Sequence, residues 1–102
     1  MSTEGTPITS SVLLTIISES VLRDRLVKLL KSKGITGYTF SDVQGEGGHG
    51  RRMGDISGYN TNIEIKTLVS PEISDEILHA LAEIRKDHAL IAFRHDVESL
   101  AN

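Results

Sequence analysis

The chain has no cysteine and no tryptophan among its 102 residues, and only two prolines. Without thiols it can build neither a disulfide framework nor a thiolate metal site. Its four aromatic side chains, two Tyr and two Phe, supply little for a base-stacking surface. Basic residues are outnumbered, 11 Lys and Arg against 14 Asp and Glu, and the net charge of −3 argues against general nucleic-acid affinity. Long apolar runs are missing too. The longest, Val12–Ile17, is interrupted by Thr15 and far too short to cross a bilayer. Met1–Ser10 is small and polar, without the basic and apolar blocks of a secretory signal. What remains is the expectation of a soluble cytoplasmic protein with no membrane insertion. It would have a flexible N-terminal segment at 1–10 and one domain at 11–102, long enough for an ordinary core.

Glycine is present and unevenly placed. Six of the nine lie within residues 44–58, Gln-Gly-Glu-Gly-Gly-His-Gly-Arg-Arg-Met-Gly-Asp-Ile-Ser-Gly, beside the adjacent Arg51 and Arg52. Such a run is unsuited to a helix or strand interior and reads as a long mobile loop. Loops of that length in small domains are usually functional or disordered. The arginines make an anion, most simply a phosphate, the first ligand to consider; the competing account is two surface arginines that keep a loop soluble.

The flanking sequence has a regular grammar. Ser11–Ser18 is a β-rich run suited to a central strand buried on both faces. Glu19–Lys33 switches to helical spacing, with Leu22, Leu26, Leu29 and Leu30 on one stripe, and Gly34 stands where a left-handed residue ends a helix. Thr36–Val43 alternates, Tyr38 and Phe40 one way as core, Thr39 and Ser41 the other. In Asn60–Val69, Ile63, Ile65, Thr67 and Val69 share a face opposite Asn62, Glu64 and Lys66. Ser70-Pro71 opens a second helix with the stripe Ile77, Leu81, Ile84, and Ala89–His95 is a closing strand. The order is β-α-β-β-α-β, which predicts a ferredoxin-like α+β sandwich of two helices on a four-stranded antiparallel sheet. The face carrying Thr39, Asn62, Glu64 and Lys66 is too mixed for a core and is expected in an oligomer interface.

Gly34-Ile35-Thr36-Gly37-Tyr38-Thr39, followed by Val43 and Gly45-Glu46-Gly47, resembles the PII signalling family, whose pattern there is Gly-x-x-Gly-Met/Tyr-Thr and then a Gly-x-Gly opening a long T-loop. The resemblance covers about residues 11–97. It implies a homotrimer that binds adenine nucleotides in clefts between subunits and signals through its T-loop, here about 44–58, without catalysis of its own. Departures point to the PII-like branch associated with carboxysomes and bicarbonate transport. The Thr-Gly-x-Gly-Lys phosphate loop of nitrogen-regulatory members is replaced by Arg85-Lys86-Asp87-His88-Ala89, Tyr59 lies at the wrong end of the loop, and Gln44 precedes its first glycine. The chain also ends soon after the fourth strand, before the arginine-bearing tail of those members. The resemblance implies AMP, ADP, ATP or cyclic AMP as ligand, bicarbonate as a second one, and a bicarbonate transporter or carboxysome-related protein as partner.

Carried over by position, nucleotide contacts fall on Gly34, Gly37, Tyr38 and Thr39, on Gly45 and Gly47, on Arg51 and Arg52, and on His88 and Ala89. Thr39 offers a hydroxyl and Gly37 accessible backbone near the loop; Gly45 and Gly47 allow N–H groups to turn toward an anion. For His88 a surface histidine is the competing account, for Arg94 the expected partner is Glu64, and His79 and His95 read as incidental. The histidines lack the spacing of a zinc site, so no metal is expected. Two other classes compete: a nucleotide hydrolase using the glycine loop, and a protein-interaction module without a small ligand. No Gly-x-x-x-x-Gly-Lys-Ser/Thr loop supports the first. RNA binding shares the element order, but the third strand has Ile63 and Ile65 where stacking rings would be needed.

Overall fold

The computed structural model describes residues 7–43 and 62–100. Four strands, β1 (Ile8–Glu19), β2 (Thr39–Val43), β3 (Asn62–Val69) and β4 (Leu90–Leu100), form one antiparallel sheet in the order β2-β3-β1-β4. Helix α1 (Arg23–Ser32), entered through a 3-10 turn at Ser20–Leu22, joins β1 to β2, and α2 (Pro71–Ile84) joins β3 to β4. This is the predicted ferredoxin-like arrangement.

Register explains the layers. Leu14 and Ile16 of β1 lie level with Thr67 and Ile65 of β3, and these positions face the helices. Leu14, Ile16, Ile63 and Ile65 are buried there against Leu22, Leu26 and Leu30 before and within α1, and Ile77, Leu81 and Ile84 of α2. Burying each such side chain contributes roughly 1.5–3 kcal/mol, enough for the apolar stripes to fix which helix face turns inward. Tyr38 and Phe40 join this core as their alternation predicts, edge to face with ring centroids 5.3 Å apart, and the Arg23 guanidinium lies 4.8 Å from the Phe40 centroid.

The helix ends are built as the sequence signals. Gly34, at φ +81°, lets its own N–H reach the Lys31 carbonyl and that of Ile35 reach Leu30, a Schellman closure with Ile35 and Leu30 both in the core. Ser70 caps α2, its hydroxyl accepting from the Ile73 N–H at 3.2 Å, with Pro71 in the first turn.

Three expectations need correction. β1 starts at Ile8, so Ile8–Ser10 pair with β4 instead of forming part of a flexible lead-in, and β4 runs on to Leu100. Both outer ends lie beyond the part of β1 that pairs with β3, and Ile8–Ser10 and Leu100 are exposed. β1 is buried on its helix-facing side, whereas on the other only Thr15 is buried and Leu13 and Ile17 remain half-buried. The pairing of Arg94 with Glu64 is wrong by parity: Arg94 lies opposite Leu14 on the helix-facing side, and Glu64 opposite Ile17 on the other.

Candidate functional site

The segment from Gly34 to Thr39 leads from α1 into β2, an outer strand of the sheet. Two anchors position it. The Schellman closure sets the exit from α1, and the Thr67 hydroxyl donates to the Gly37 carbonyl at 2.6 Å. That bond accounts for a hydroxyl on the apolar face of β3, where Thr67 is only 4% exposed. Gly37 has no positive φ, and a Cβ placed on it would meet, among the described residues other than its chain neighbours, no atom within 4 Å. Its backbone is therefore open to a visitor. Thr39 is exposed on the face away from the helices, level with Lys66.

Thr39 and Val43, four residues apart, are the two ends of β2, so Thr39 lies about 13 Å from where the glycine-rich connection departs, and Gly37 precedes it by two residues. The expectation that they adjoin its start is corrected by that length. Gly45, Gly47, Arg51 and Arg52 lie outside the described residues.

His88 and Ala89 occupy the turn between α2 and β4, at the opposite edge from β2. Three inter-strand spacings, about 14 Å, separate the edges, so one chain does not bring Thr39 and His88 together. Here the turn carries an unforeseen contact: His88 Nδ1 lies 3.1 Å from Glu19 Oε2 at the end of β1. Beside the turn a groove of about 400 Å³ runs between α2 and the free edge of β4, lined by Leu78, Leu81, Ala82, Arg85, Leu90, Ile91 and Ala92.

Arg94 serves α2 instead of Glu64. Its guanidinium donates to Asp75 Oδ1 at 2.5 Å and to the hydroxyl of the fully buried Ser74 at 2.7 Å, and Ser74 donates to the Pro71 carbonyl at 2.8 Å. Glu64 has Lys66 as its neighbour on the uncovered face, with 3.9 Å between charged atoms. On that face Leu68, Ile91 and Phe93 are 48%, 37% and 42% exposed, a broad apolar surface around a polar middle. Among the described residues no three metal-ligating side chains cluster, and no helix is long and apolar enough to cross a membrane.

Sequence reasoning missed Glu19 and Thr67. Thr67 left a signal, a hydroxyl in the apolar register; Glu19 left none, since its partner is distant in sequence.

The family described as nitrogen regulatory protein P-II matches residues 12–100. Among solved structures, a PII-like signalling protein of Thermus thermophilus is similar at 35% identity and TM-score 0.76, over 91% of this chain and 92% of its own. CPII of Thiomonas intermedia, a nitrogen regulatory PII-like protein seen with ADP, AMP and bicarbonate, is 27% identical with TM-score 0.76, over 90% of this chain and 97% of its own. The same protein with ADP and bicarbonate superposes at TM-score 0.80 and 24% identity, covering 95% of each chain. No curated protein sequence matches.

Proposed function

The chain belongs to the nitrogen regulatory P-II family, and from that premise we propose that it is a PII-like regulatory protein that binds adenine nucleotide, with bicarbonate as a second ligand, between the subunits of a homotrimer. The observation that carries this reading is the placement of its two candidate halves on opposite free edges of one sheet. The Gly37–Thr39 segment stands at the β2 edge and the His88–Ala89 turn at the β4 edge. A ligand touching both must lie between two copies, and CPII, of the same fold, holds ADP, AMP and bicarbonate. The uncovered sheet face, apolar at Leu68, Ile91 and Phe93, is the surface through which the copies meet.

In this reading Gly37 gives the base close access to backbone, while Tyr38 and Thr39 set the first edge of the cleft. Gly45 and Gly47 present N–H groups to phosphate, and Arg52, assisted by Arg51, supplies charge; each charge-assisted hydrogen bond contributes roughly 1.5–3 kcal/mol. The protein regulates and does not catalyse. Its output is the state of the T-loop. Fixing one residue's backbone costs roughly 1–2 kcal/mol, so ordering all of 44–58 would exceed the roughly 8 kcal/mol of a micromolar ligand. A nucleotide therefore tethers part of the segment, and a bicarbonate transporter or carboxysome-related protein reads the remainder.

Calorimetric titration with AMP, ADP, ATP and cyclic AMP, each with and without bicarbonate, tests the reading. Micromolar binding weakened at least tenfold by Arg52→Ala, the loss of about 1.4 kcal/mol or more, is expected. A bicarbonate-dependent shift ties the sensor to inorganic carbon. Absence of binding by any nucleotide would leave a protein-interaction module.

A further inference from the structure

At the end of β1, Glu19 lies level with Asn62 of β3, and Asn62 with Val43 of β2. On the other side of Glu19 comes His88, its Nδ1 3.1 Å from Oε2, with side chains 30% (His88) and 26% (Glu19) exposed. A carboxylate offers lone pairs only, so Nδ1 must carry the proton in this contact. In a neutral ring the other nitrogen, Nε2, is then an acceptor. Among the described residues none hydrogen-bonds to Nε2.

Among the described residues, the charges near the ring disfavour a phosphate partner. Glu19 and the adjacent Asp87 are acidic, the Lys86 ammonium is engaged by Glu83 at 3.2 Å, and Arg85 lies three residues back at the groove beside α2. A neutral ring held by a carboxylate at Nδ1 leaves a lone pair at Nε2, which suits a neutral donor, an O–H or N–H. We propose that His88, oriented by Glu19, reads a donor group of the bound nucleotide through Nε2, either a ribose hydroxyl or the adenine amino group. This rests on the nucleotide reading above. The turn then confers selectivity for sugar or base, and phosphate is held elsewhere. Glu19 is a positioning residue that acts through the tautomer it imposes.

Long-range proton–nitrogen correlation spectra of the whole protein at pH 8, where imidazole is ordinarily neutral, test the first half. With His88 assigned through His88→Ala, its ring should carry the proton on Nδ1, and Glu19→Ala should move it toward Nε2. Calorimetry at the same pH tests the second half, with ADP, adenosine and the analogues 2′-deoxy-ADP, 3′-deoxy-ADP and inosine diphosphate as probes. His88→Ala and Glu19→Ala should each weaken ADP by about fivefold, the worth of one neutral hydrogen bond, and together by no more. His88→Gln, which keeps an acceptor, should recover most of the loss. One of the three analogues should lose the same factor on the unaltered protein and lose nothing further on His88→Ala, which identifies the donor.

A proton on Nε2 in the unaltered protein overturns the inference. So does unchanged ADP affinity in His88→Ala, or a loss seen with ADP and not with adenosine, which would mark a phosphate contact. If the unaltered protein binds no ADP, the nucleotide reading fails and takes this inference with it. The tautomer spectrum tells the two failures apart.

Discussion

Gly34 holds φ at +81°, a conformation in which a Cβ is strained, whereas Gly37, three residues on, has ordinary backbone and open space around it. The two therefore respond differently to alanine. Gly34→Ala should destabilise the fold by about 1–2 kcal/mol in urea unfolding. Gly37→Ala should leave stability within about 0.5 kcal/mol, because no strain or clash opposes it, yet weaken nucleotide binding in calorimetry. Equal stability losses would mean that Gly37 is structural. Single residues were legible where their role is local. Gly34, and the Ser70-Pro71 pair, announce themselves by position relative to an apolar stripe. Arg94, Glu19 and Thr67 were not, because each reaches a different element, and a partner 19 or more residues away follows from how the elements pack, which no local spacing encodes.

Among the elements, both helices and all four strands could be read from periodicity, since each presents one apolar side to a single core. Their ends were less legible where that core stops. Asp96 and Glu98 lie on the helix-facing side of β4, opposite Val12 and Ser10, and both are exposed. Their polarity broke the apolar alternation, so the strand was expected to close at His95. The N-terminal end of α2 is specified locally, and Ser70→Ala should cost about 1 kcal/mol by removing the acceptor of the Ile73 N–H. Thermal or urea unfolding measures it, and no change would mean that water replaces the hydroxyl there. Below this cap, Arg94 ties the buried Ser74 to the sheet, so the first turn of α2 is held from two sides.

For the whole molecule, the proposed assembly rests on the sheet face away from the helices. Phe93 stands 42% exposed beside His95, ring centroids 5.7 Å apart, on the side away from both helices. Phe93→Asp should convert a trimer into folded monomers at micromolar concentration, measured by analytical ultracentrifugation with circular dichroism as the fold control. A trimer that survives it would move the interface elsewhere. The candidate site was legible as motif, Gly34 to Thr39, and not as shape. Which edges must meet is a property of strand order, and the β2-β3-β1-β4 sequence puts the motif and the His88 turn at opposite extremes. The same order has a practical side. Ile8 and Leu100 are register partners at one corner of the sheet. Labels attached at these two positions start from neighbouring points, two and three strands removed from the β2 edge that carries the glycine motif.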